Sequence, residues 1–230
     1  MNITEALKIA RRAPRDARPF TVTLACGFTP LHLPTFLAAY LQQALPDRKI
    51  TISTGLYGDL MGTLEGISGA EFPDGLAVAL EWADLDARLD FRGAGSWGVK
   101  AAADVVGSAG ATLERISDAL RRIPSGLRVA LSLPTLPLPP LFHTPGWVAS
   151  AEEMRLRSEL LRSAAELAQE GRIAIVNPQR LAETSPAADR FELKSHLYTG
   201  WPYSMHHADV LARCLPESDC DAAASSGHTG

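Results

Sequence analysis

Residues 75–82 read GLAVALEW. All but Glu81 are apolar, and the run shows no alternation of apolar with polar residues. Such a run at strand length marks a strand covered on both faces, as in a parallel sheet with helices on each side. Working outward from it, FTVTLA (20–25) and KITIST (49–54) precede it, and LRVALSL (127–133) and RIAIVN (172–177) follow. All four are rich in β-branched or aliphatic residues and bounded by turn or polar residues.

Longer segments with helical spacing lie between the strands. Residues 30–45 carry Leu31, Phe36, Leu37, Tyr40, Leu41 and Leu45, with Pro30 suited to a first turn and Pro46 beyond the end. Residues 58–67 form a weaker helix, because glycine lowers propensity. Helices are also expected at about 99–122, 150–170 and 203–215. The one at 150–170 opens with Ser150 and Glu153 in capping-box spacing and stops at Gly171. Strands separated by crossover helices imply an α/β fold, three layers deep (α/β/α), around a five-stranded parallel sheet. The expected division is an N-terminal helix or arm over 1–17, a single domain over 18–215, and a small, polar, disordered tail over 216–230.

The totals narrow the function. The chain has 230 residues, 46% of them hydrophobic and 21% charged, which is ordinary globular composition. A formal net charge of −4 gives no reason to expect a nucleic-acid partner. No run reaches the ~18–20 apolar residues of a membrane helix. The N-terminus lacks the apolar stretch of a secretory signal. Cys26, Cys214 and Cys220 form neither a disulfide framework nor a CxxC metal spacing. A cytoplasmic protein without metal is the expectation. The glycine-rich DFRGAGSWG (90–98) lacks the phosphate-cradle spacing, and no cofactor is expected.

In open parallel sheets ligands bind at the carboxyl ends of the strands, where strand order reverses. The loops to inspect are therefore 26–30, 55–59, 82–98, 134–147 and 177–203. The first holds Cys26, Gly27 and Thr29. Either Cys26 or Thr29 can serve as a nucleophile at a helix N-terminus. Equally, Thr29 can cap the helix and Cys26 can be packed core. Glu81 and Asp84 leave the third strand and can orient a base or a substrate hydroxyl, or form loop salt bridges with Arg88 or Arg92. His143 lies in a proline-rich loop that ends at Trp147. His206 and His207 precede Asp209, and adjacent helical residues point about 100° apart, so one at most can face a site. Either is a candidate base. Trp82, Trp97, Trp147 and Trp201 fall in or beside these loops. They can anchor a partner or simply cover the sheet edge.

The order of these pieces resembles the SGNH/GDSL hydrolases. It is most similar to the divergent version that forms the N-terminal domain of FkbH-type proteins, which handle glyceryl units in biosynthesis. The resemblance rests on Cys26-Gly27-Phe28-Thr29, Gly55-Leu56-Tyr57-Gly58, Glu81 to Leu85, and Gly200-Trp201-Pro202-Tyr203-Ser204. It implies an SGNH/flavodoxin-like sheet. It places Thr29 where active enzymes carry the nucleophilic serine and Trp201 where they carry the histidine. Oxyanion donors would come from the amide of Thr29 and from Gly58, while Ala83 replaces the asparagine. Gly27, Gly58, Glu81, Asp84, His143 and Trp201 then line the ligand site. Thr29, Cys26, His207 and His206 remain the candidates for chemistry. The resemblance implies a small-molecule ester, or an acyl or glyceryl group, as ligand, with a carrier protein as a further partner. The alternatives are an active esterase or acyltransferase with a rearranged Thr or Cys nucleophile, and a non-enzymatic interaction module.

Overall fold

A computed structural model describes all residues except 15, 69–71, 94–95, 143–146 and 226–230. The five strands are β1 (Arg18–Ala25), β2 (Arg48–Thr54), β3 (Gly75–Ala79), β4 (Arg128–Ser132) and β5 (Ile173–Ile175). They form one sheet in the order β2-β1-β3-β4-β5, with every pairing parallel. Every residue of β3 is buried, as the apolar run at 75–79 requires. It pairs with β1 from Val22↔Gly75 and with β4 from Gly75↔Arg128.

The helices sort to the two faces by the alternation of strand side chains. On one face Leu76, Val78, Val129 and Leu131 pack against α3 (Leu60–Glu65), α5 (Ala102–Arg122) and α6 (Ala151–Gln169). On the other, Val22, Leu24, Ala77, Ala79 and Ala130 meet α1 (Ile3–Ala10), α2 (Leu33–Ala44) and α9 (Met205–Ser225). Ala6 and Ile9 of α1 are buried in this second core. The N-terminal arm thus packs on α2. Helix α6 is capped as its sequence indicates, Ser150 Oγ accepting the Glu153 amide at 3.3 Å.

Three local expectations change. Helix α2 starts at Leu33 with His32 as its cap residue, so Thr29 does not cap it. The first turn is built around Pro34, where a missing N–H does no harm. Helix α9 runs through Pro216 to Ser225 rather than ending at 215. The loop 177–203 contains two short helices, α7 (Pro178–Thr184) and α8 (Leu193–Thr199). Asn177 caps α7 with its side chain, and Gly200 ends α8 at φ +78°. A further turn, α4 (Trp82–Leu85), follows β3 directly. Among the described residues no helix is long and apolar enough to cross a membrane.

Candidate functional site

From β1 the chain crosses outward to β2, and from β3 it proceeds the opposite way through β4 to β5. The reversal falls between β1 and β3, and a cleft opens there at the strands' carboxyl ends. Gly27 and Phe28 form one wall and Glu81 to Asp84 another. Tyr57, His196 and Gly200 close it above, leaving about 50 Å³. That is room for a small group, not a large ligand.

The floor is built by Asp84. Its Oδ2 accepts the Glu81 amide at 2.8 Å, the return half of a capping box on α4. Its carboxylate also accepts the Gly27 amide, and a β-carbon at Gly27 would sit 1.8 Å from Oδ1. Gly27 is required here by close approach, not by φ. Burial pushes the Asp84 carboxyl up to about 7, and the charge of Glu81 adds to this, against the two amide bonds. The cleft thus holds a carboxyl that changes protonation near neutrality. Neither Asp84 nor Glu81 pairs with Arg88 or Arg92. Arg88 bridges Asp86 and Asp104 instead.

Glu81, in the cleft wall, is 3% exposed. It accepts hydrogen bonds from the Thr135 amide and hydroxyl, the Leu136 amide and the Tyr203 hydroxyl. Burial raises its pKa, while these bonds favour the charged form. Arg190 supplies a buried opposite charge, its guanidinium donating to the carbonyls of Ser185 and Thr135. His207 completes the network, with Nε2 2.9 Å from Thr135 Oγ1 and Nδ1 2.9 Å from Ser185 Oγ. A hydroxyl has one proton, and Thr135 gives its own to Glu81 at 2.6 Å. His207 Nε2–H must therefore donate to Thr135, and Nδ1 must accept from Ser185. Both nitrogens are engaged, and burial pushes the ring's pKa down to about 3. His206 faces solvent and donates to the Thr184 carbonyl.

The amides that the resemblance assigns to an oxyanion hole are already engaged. The Thr29 amide donates to the Gly200 carbonyl at 3.2 Å, and the Gly58 amide to the Gly27 carbonyl at 2.8 Å. Gly58 has φ +75°, a conformation that favours glycine whether or not the amide serves a ligand. The Ala83 side chain offers no donor. Trp201 is buried among Phe28, His32 and Tyr203 in edge-to-face contacts of 5.5–6.3 Å between ring centres. The position that the resemblance assigns to a histidine is thus filled by aromatic packing. Cys26 is core: it is 5% exposed, its thiol donates to the Phe28 carbonyl, and burial pushes it up to about 12. Such a thiol stays protonated.

The sequence did not single out the pair His196 and Asp90, which also line the cleft. His196 Nε2 lies 2.5 Å from Asp90 Oδ1, and its buried Nδ1 has no hydrogen-bond partner among the described residues. Arg92 anchors this wall, donating to the Tyr57 hydroxyl at 2.5 Å and to the His196 carbonyl. The available signal was a short helix, Leu193 and Leu197 one turn apart with Gly200 as its stop. Of the tryptophans, Trp82 and Trp97 donate to the Leu136 and Arg88 carbonyls and cover the sheet edge, as does Trp201. Trp147 is fully exposed. His143 lies outside the described residues. Among the described residues no group of three or more His, Cys, Asp or Glu is placed to hold a metal ion.

No family model matches this sequence, and no curated protein does. Solved structures do. The N-terminal part of the Bacteroides fragilis protein BF1531, described as containing a phosphatase domain complexed with Mg, superposes with a TM-score of 0.63 at 11% identity. The match covers 93% of this chain and 55% of that one, so the chain spans about half its length. The lipase Lip_vut3 from a goat rumen metagenome gives 0.47 at 10% identity over 88% of this chain and 97% of that one. A GDSL-like lipase from Parabacteroides merdae gives 0.47 at 14% identity over 90% and 97%. The chain shares with the BF1531 N-terminal part an α/β fold, here built around a five-stranded parallel sheet. Identities this low speak to fold alone.

Proposed function

We propose that this SGNH-like domain binds an acyl- or glyceryl-type group in the cleft between β1 and β3 without hydrolysing it by the serine–histidine route. The group would come as a small ester or on a carrier protein, in a biosynthetic setting in the cytoplasm. The observation that carries the reading is the closure of the oxyanion hole by main-chain bonds from Thr29 and Gly58. Transition-state stabilisation needs free donors aimed at the developing charge, and each one lost costs roughly 10²–10³ in rate. Trp201 in the histidine position and the fully bonded His207 remove the base as well. Among the described cleft residues no cation is free, because Arg92 is bonded to Tyr57 and His196. An uncharged group bearing carbonyl or hydroxyl oxygens suits Asp84 and His196 better than a phosphate does.

One observation favours the second reading, an esterase or acyltransferase with a rearranged site. The His196–Asp90 pair has the composition of a base and its orienting acid. Hydrolysis of p-nitrophenyl acetate and butyrate separates the two. The expected result is background turnover, unchanged in Thr29→Ala. Hydrolysis lost in Thr29→Ala would overturn the proposal. Hydrolysis kept in Thr29→Ala but lost in His196→Gln would establish the rearranged site.

A further inference from the structure

A second cavity lies at the opposite end of the sheet from the cleft. It opens at the amino ends of β1, β3 and β4, beneath α2 and α9, and encloses about 110 Å³. Its origin is legible in the strands. On this face β3 and β4 present Gly75, Ala77 and Ala130, whereas the other face carries Leu76, Val78, Val129 and Leu131. Small side chains in the centre of the sheet leave space that Leu37, Leu41 and Leu215 wall off but do not fill. Leu37, Ala77, Ala130 and Leu215 are each at most 4% exposed, so the floor is deep. Ala44, Leu45 and Pro216 stand at the mouth.

The lining is hydrocarbon except at one point. Arg128, the first residue of β4, is exposed at the lip and makes no hydrogen bond or ion pair with any described residue. Among the described residues no carboxylate side chain lines the cavity. An aliphatic cavity of this order takes apolar guests, as an engineered cavity of ~150 Å³ takes benzene. A guanidinium at its mouth matches the two oxygens of a carboxylate.

We propose that this cavity is a binding site for a short aliphatic carboxylate, its chain against Ala77 and Ala130 and its carboxylate on Arg128. The site is independent of the cleft and of whatever the cleft holds. It faces away from the strands' carboxyl ends, so both can be occupied together.

Hexanoate and hexanol are the probes, titrated into the full chain while the methyl NMR signals of Leu37, Leu41 and Leu215 are followed. Saturable shifts at the methyl groups of these three leucines are expected with both probes. Arg128→Gln is expected to weaken hexanoate about tenfold, the scale of one charge-assisted bond, and to leave hexanol unchanged. Ala130→Leu fills the floor and is expected to abolish both. Should that variant not fold, Ala44→Leu at the exposed mouth tests the same point. Three results would overturn the proposal: no saturable shifts, hexanoate binding that survives the filling variants, or equal loss of hexanoate and hexanol in Arg128→Gln. A chain ending at Pro216 that binds hexanoate where the full chain does not would show that residues 217–230 exclude the guest, and would also overturn it.

Discussion

Substituting Gly27 by alanine adds one methyl group at a backbone position whose φ is not left-handed, so torsional strain is absent. The cost comes from what the methyl meets. Its carbon would lie 1.8 Å from Asp84 Oδ1 and 3.0 Å from the carboxyl carbon. A side-chain tip can often swing aside, but this one is held by the amides of Glu81 and Gly27. Moving it breaks two bonds to a carboxylate, at about 1.5–3 kcal/mol each when buried. Gly27→Ala is therefore expected to destabilise the fold by about 3 kcal/mol. Asp84→Ala should cost a similar amount, since it removes the same bonds and half of the α4 capping box. The two losses are one loss. In the Asp84→Ala background Gly27→Ala should cost less than about 0.5 kcal/mol, or stabilise slightly by restricting the unfolded chain. The double-mutant cycle should then return a coupling near 3 kcal/mol. Urea unfolding followed by circular dichroism measures all four corners. A coupling below about 1 kcal/mol, or a single Gly27→Ala that costs less than that, would refute the close-approach account of this glycine.

Asp84 also sets a pH dependence. Its folded pKa, near 7, lies above the unfolded value of 3.8, so its contribution is fully present below pH 4 and is lost as pH rises through 7. Stability of the wild type relative to Asp84→Asn should fall by up to about 4 kcal/mol between pH 4 and pH 8, checked by urea unfolding across that range. His207 acts with the opposite sign. Its folded pKa is depressed, so its share is present above pH 6.5 and is lost as pH falls toward about 3. Unfolding of His207→Gln over pH 4–7 should show a shallower acid loss. Thr135→Val strips Glu81 and His207 Nε2 of a hydroxyl together. It should cost about 2–4 kcal/mol because both buried groups are left unmatched.

The sheet was readable because its central strands β3 and β4 are buried on both faces. GLAVA and VALS carry that burial in their composition, and turns and helical spacing delimit the rest. The segment 177–203 was less readable. Its helices are only seven residues long, and a polar stretch of that length gives periodicity little to work on, although Asn177-Pro178 is a start signal. At the site, Gly27, Glu81 and Asp84 were located by standing at strand ends. The bond between Asp84 and Gly27 was not, because it joins loops far apart in sequence. The fate of the Thr29 and Gly58 amides leaves no mark on residue type. His207 was visible as a residue but not as the bonded centre of a buried network. His196 carries no mark of its role in the sequence, because its partner Asp90 lies on a different loop.

The two main-chain bonds at the cleft determine how this scaffold could be re-engineered. Replacing Thr29 by serine, Ala83 by asparagine and Trp201 by histidine would supply the residue types that the resemblance to SGNH enzymes assigns to these positions. It would leave the Gly58 amide on the Gly27 carbonyl and the Thr29 amide on the Gly200 carbonyl, because no side chain makes either bond. An esterase built here thus calls for transplanted loop backbones, with new lengths or turns at 55–59 and 199–202. A library that varies side chains alone would search the wrong variable.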